Sequence, residues 1–218
     1  MQFDSTHRLV RTLGADLSPV HRLAPPGLRA LIWLAMLGAM AVALAMVSDM
    51  GAMTSRLMAA PDTWLAAMGS LLTAVLAAMA AFELSLPDRR AAWALLPLPA
   101  LVLWIGASGM GCLRDWSITK KLPMPLSQSE HCLIYILGFS LPLSLLLLVM
   151  LRRGFSFRPN LTAIVGGLAC ASAAATLLNF VHPYDAAATD LAVHSFAVAI
   201  VILANTVIGA RILASHKR

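Results

Sequence analysis

The sequence predicts an all-α membrane protein, a bundle of six transmembrane helices with short loops and both termini in the cytoplasm. Three observations carry that expectation. The composition is 60% apolar and only 12% charged, with a mean hydropathy of +0.81, against about 25% charged residues in a soluble domain. The apolar residues gather into six long runs. The cations are divided unequally among the gaps between those runs.

Crossing about 30 Å of hydrocarbon takes around 20 apolar residues as a helix, because a backbone in lipid must satisfy its own hydrogen bonds. The runs at 28–48, 62–85, 91–110, 131–151, 160–180 and 191–213 meet that length, and each gap holds Pro, Gly or charge. The expected organisation is a cytoplasmic segment over 1–27, a transmembrane domain over 28–213 and a cytoplasmic tail over 214–218. The first run is longer than a signal-peptide core and follows a 27-residue polar segment, so the N-terminus is expected to be retained.

The net charge of +6 is read as topology. Its cations lie in short gaps and not along one solvated face, which argues against a direct nucleic-acid partner and for membrane lipid as the surroundings. One side carries Arg8, Arg11, Arg22, Arg29, Arg89, Arg90, Arg152, Arg153, Arg158, Arg211, Lys217 and Arg218; the other has Arg56, Arg114, Lys120 and Lys121. The positive-inside rule therefore turns both termini to the cytoplasm. Trp33 and Trp93 near inner ends, and Trp64, Trp116 and Tyr135 near outer ends, read as lipid-facing interfacial anchors.

On this orientation "SEHCLIYILGF", residues 129–139, opens the fourth run on the outer face, in a bacterium the oxidising periplasm. The fifth run returns there with "NFVHPYDAAATD", residues 179–190, so an antiparallel pairing of the two brings Cys132 and His182 to one depth. Cys112 ends the third run on the same surface. Cys112, His131, Cys132, His182, Tyr184 and Asp185 are thus the one cluster of soft and titratable groups. An imidazolium beside a thiol favours the reactive thiolate, and one or two Cys with one or two His can hold Zn or Cu(I), Cys132 and His182 being the candidate pair. Three cysteines without a CxxC pair give no disulfide framework. Packing or interfacial residues at helix ends are the plainer reading of the same side chains.

Cys170 lies mid-helix, and Gly166, Cys170 and Ala174 repeat small residues at four-residue spacing, a packing pattern. Glu83, His194, Asn205 and Thr206 are polar at membrane depth and read as interhelical bonding or snorkelling groups before a transport pathway. In the N-terminal segment Leu9, Val10, Leu13 and Leu17 fall on one side of a short helix, with Arg8, Arg11 and Asp16 elsewhere, before Pro19 and the Pro25–Pro26 pair end it. The pattern fits equally a helix lying on anionic lipid and one docking into a partner's groove.

Four segments together resemble the NrsF-like family of six-helix membrane anti-sigma factors: "LVRTLGADLSPVHRLAPPGLRALIWL", "GCLRDW", "EHCLIYILGFSLPLSLLLLVMLRRG" and "NFVHPYDAAATDLAVHSFAVAIVILANTVIGARIL". The resemblance covers nearly the whole chain. It implies a non-enzymatic regulator in the bacterial inner membrane whose cytoplasmic N-terminal segment, through Leu9, Val10, Leu13 and Leu17, holds an extracytoplasmic-function (ECF) sigma factor away from RNA polymerase. It also implies release on a periplasmic redox or heavy-metal signal sensed by two cysteines. Cys132 matches the first; the second falls at Val181 or His182, so this chain departs from the family there. Three readings stay open: His182 coordinates metal with Cys132, Cys112 serves as the thiol partner, or sensing is lost. No resident cofactor is implied beyond a transient metal ion at that group.

The rival class is a membrane thiol or quinone oxidoreductase, or a small permease. An oxidoreductase needs a redox pair poised for exchange and an acceptor site, and a haem bundle needs His pairs at matched depth. The sequence displays neither a CxxC pair nor matched histidines.

Overall fold

The computed structural model describes residues 2–15, 23–114, 117, 126–154, 156–181 and 188–215. Prolines punctuate it. Helix α1 (Gln2–Ala15) precedes the proline-rich stretch, and α2 (Pro26–Val47) begins with Pro at its first turn, where a missing N–H costs nothing. After the break at Ser48–Asp49, the Asp49 carboxylate accepts from the Ala52 N–H at 2.9 Å and caps a ten-residue helix, α3 (Met50–Ala59). Pro61 opens α4 (Pro61–Leu84). A single 3₁₀ turn (Ala91–Leu95) leads past Pro97 into α5 (Leu98–Arg114). Helix α6 (Leu126–Leu151) carries Pro142 internally, and α7 (Pro159–Val181) again starts on proline. Helix α8 (Ala188–Ala204) runs through a π turn (Asn205–Gly209) into α9 (Ala210–Ser215).

Among the described residues, six segments are long and apolar enough to cross a membrane: Pro26–Val47, Pro61–Leu84, Ala91–Arg114, Leu133–Leu151, Pro159–Val181 and Ala192–Leu213. They match the six expected runs to within a few residues, the third extending to Arg114. The described residues form no strand.

Helix α7 sits at the centre. Helices α4, α6, α8 and α2 pack on it, and α5 completes the ring by lying against α4 and α8. Its sequence explains the placement: Gly166, Gly167, Ala169, Cys170, Ala171, Ser172, Ala173 and Ala174 are all buried, and small side chains let backbones approach where lipid supplies no hydrophobic drive between helices. A Cβ at Gly167 would lie 2.9 Å from the Ile202 Cα of α8, and one at Gly69 of α4 would lie 2.8 Å from the Trp104 backbone of α5. Neither glycine admits alanine without separating its helices. Cys170 is fully buried in this seam, as the packing pattern predicts.

Trp33 corrects the sequence reading. It is not a lipid-facing anchor but completely buried, and its Nε1 donates to the Leu143 carbonyl of α6 at 3.0 Å. The indole N–H finds a partner because burial in an apolar bundle leaves no water to serve it. Trp64 and Tyr135 are exposed as expected.

Candidate functional site at the arginine-rich end

Because the spans alternate in direction, the start of α2, the ends of α4 and α6 and the start of α7 meet at one end of the bundle, together with the last turns of the chain, where Gly209 abuts Leu148 and Ala163. Arg29, in the first turn of α2, joins them. Only 4% of it is exposed. Its Nη1 donates to Ser85 Oγ at 3.0 Å, its Nη2 donates to the Met150 carbonyl, and its guanidinium lies 4.8 Å from the Phe82 ring centroid.

Bare burial of a cation is costly, so its surroundings must answer for it. Met150 O is among the last four carbonyls of α6, and Ser85 is the residue that ends α4. Both helix C-termini carry the negative end of a macrodipole, and the Phe82 face adds its quadrupole. Arg29 is therefore held by two helix ends and a ring without a carboxylate among the described residues. It ties α2 to α4 and α6 at once.

Further bonds tighten the same end. Thr162 Oγ1, on α7, donates to Leu84 O at 3.3 Å, and Ser156 Oγ donates to the same carbonyl at 3.1 Å. Arg89 Nε stands 2.9 Å from Glu83 Oε2, in ion-pair reach but without hydrogen-bond alignment. At the opposite end, Arg114 at the end of α5 pairs with Asp62 at the start of α4, each charge matched to its helix terminus.

The polar residues at membrane depth bond between or within helices. Asn205 Nδ2 donates to Ser144 Oγ of α6 and to Val201 O, each at 2.9 Å, leaving its buried Oδ1 unpaired. Thr206 turns back on Ile202 O at 2.7 Å, and Ser70 of α4 meets Thr176 of α7 at 3.0 Å.

The expected site residues are placed as follows. Leu9, Val10 and Leu13 lie on α1, each about 60% exposed (59%, 62% and 61%), while Leu17 lies outside the described residues. His131 and Cys132 fall in the first two turns of α6, their side chains outside the described part; His182, Tyr184 and Asp185 are outside it altogether. Cys112 is a half-buried free thiol near the end of α5. The described residues thus do not bring the sulfur and imidazole groups together, and no group of three or more His, Cys, Asp or Glu among them is arranged to hold a metal.

Sequence reasoning missed Arg29 as a structural residue by counting it only as a flanking charge. The signal was present: Arg29, Ala30, Trp33 and Leu37 are the buried residues of α2 and share one helical face.

These features define a class, a multi-pass helical membrane protein that displays a short amphipathic helix ahead of its first span. A family model described as negative regulator of sigma F, NrsF, matches residues 13–214, and the chain belongs to that family. Its broad role is negative regulation of a sigma factor, which makes a sigma factor its partner. The matched stretch includes Leu13 and Leu17 and begins after Leu9 and Val10. No curated protein and no solved structure matches the chain.

Proposed function

We propose that this protein is a non-enzymatic anti-sigma factor of the bacterial inner membrane, with its arginine-rich end in the cytoplasm. It sequesters an ECF sigma factor on the Leu9–Val10–Leu13–Leu17 stripe and releases it on a periplasmic redox or heavy-metal signal. The observation that carries this reading is α1 itself: every described side chain from Thr6 to Ala15 is exposed, the three leucine and valine residues included. An apolar stripe left in solvent favours a partner that covers it. The concentration of twelve of sixteen cations at the end where α2 begins supports the orientation.

Helix α6 supplies a route for the signal. It contains His131 and Cys132 in its first turns and, near its other end, the Met150 carbonyl that accepts from Arg29. Arg29 stands at the start of the span that follows the sigma-binding segment. A metal bound through Cys132 and His182, or a bond of Cys132 with the Cys112 thiol, shifts α6 between two packings and changes how firmly α2 is held. Ten times more free sigma factor needs a preference of about 1.4 kcal/mol between those states. One hydrogen bond to a charged group is worth about that much. The protein makes no direct contact with nucleic acid in this reading.

Co-purification of the sigma factor with the full chain, with a chain lacking residues 1–24 and with Leu9→Asp/Leu13→Asp tests the docking. Recovery is expected from the first alone, and equal recovery from all three refutes it. Cys132→Ser is expected to blunt the response of the sigma regulon to oxidant or Cd²⁺; an unchanged response removes the sensor.

A further inference from the structure

At the arginine-rich end the loop after α4 and the loop between α6 and α7 form one surface. Arg158 Nη1 donates to Arg89 O at 3.2 Å, and a Cβ at Gly154 would lie 3.0 Å from Ser85 O. The surface carries Arg89, Arg90, Arg152, Arg153 and Arg158, all exposed, beside one exposed acid, Asp88. Arg89 is engaged with Glu83, whereas Arg90, Arg152 and Arg153 form no ion pair with a described residue.

Helix α7 begins here with no acid in its first turn, so its positive dipole end adds to the field. The cations stand directly after α6 and directly before the third span, and Phe157 beside Arg158, together with Leu95 and Leu98 in the turns that follow Arg90, are exposed and apolar. Cations next to exposed apolar side chains fit a molecule with a phosphate and an acyl tail better than an acidic protein segment, which has no use for the apolar border. Arginine's planar fork suits phosphate oxygens.

We infer that this surface is a binding site for the phosphate of an anionic phospholipid headgroup, taken by Arg90, Arg152 and Arg153. The inference is independent of the regulatory reading. The test uses the full chain in phosphatidylcholine nanodiscs doped with phosphatidylglycerol, with retained lipid read by native mass spectrometry.

Phosphatidylglycerol is expected to be retained over phosphatidylcholine, with about a fivefold loss of preference per arginine neutralised, about 25-fold for Arg152→Gln/Arg153→Gln and about fivefold for Arg90→Gln. Arg152→Lys/Arg153→Lys keeps the charge and is expected to keep most of the preference, and Arg8→Gln/Arg11→Gln on α1 removes equal charge elsewhere without loss. Two results overturn the site: retention unchanged in the Gln variants, or inorganic phosphate competing as well as the lipid.

Discussion

Replacing Arg29 by alanine removes a side chain that ties three helices together, and its cost can be worked from its neighbours. Ser85 Oγ has a bond of its own, donated to Phe82 O at 2.6 Å, and is not orphaned by the change. The Met150 carbonyl loses the donor that served it at the end of α6. A buried acceptor left without a partner costs about 1–3 kcal/mol, and loss of a desolvated cation over a ring about 1–2 kcal/mol. Arg29→Ala should therefore destabilise the bundle by about 2–5 kcal/mol. Lysine keeps the charge and three donors but lacks the planar fork that reaches both acceptors from one side chain, and should recover about half. Equilibrium unfolding in mixed micelles, followed by tryptophan fluorescence with Trp33 one turn away, measures this directly. If Arg29→Met were as stable as the parent while Arg29→Ala were not, packing of the aliphatic stem would hold the three helices, and a stabilising role for the guanidinium's bonds would be refuted.

Other expectations are simpler. Gly69→Ala should cost about 1–3 kcal/mol, because the new methyl meets the Trp104 backbone, while Gly38→Ala, which meets nothing within 4 Å, should be neutral or stabilising; thermal unfolding of the pair decides. A double-mutant cycle of Asn205→Ala with Ser144→Ala should give a coupling of about 0.6 kcal/mol, typical of hydrogen bonds between membrane helices, and a value near zero would remove the bond. Asp62→Asn should lower stability by at most about 1 kcal/mol and less at high salt, since Arg114 is 37% exposed and the pair is screened; a salt-independent loss would contradict that.

Much of the architecture was legible in the residues. Hydropathy marks the six spans because lipid imposes a length, and prolines at 26, 61 and 159 mark where three of them begin. The Ala- and Gly-rich stretch around Cys170 announces a helix surrounded by others. Helix α3 leaves no such mark, since Met50–Ala59 is too short and too polar to register as a span and its capping by Asp49 is a local signal within an apparent loop. Arg29 and Trp33 escape a reading by residue type for one physical reason: near a helix end, charge and indole are equally at home in the headgroups and between helices, and only the partner on the neighbouring helix distinguishes the two. The Cys/His group stays a matter of residue types, because its pairing depends on side chains that the described residues do not include.

The position of α7 has a consequence for biogenesis. Less apolar than α2 and α6 and enclosed by other helices over most of its length, it gains less from lipid than those two. It is also the fifth span to emerge, after α2, α4, α5 and α6 are already in place. A ribosome that paused after Leu151 would leave an empty slot among earlier helices, and late arrival of the small-residue helix would close it, so premature termination before Pro159 should yield fragments that quality-control proteases remove.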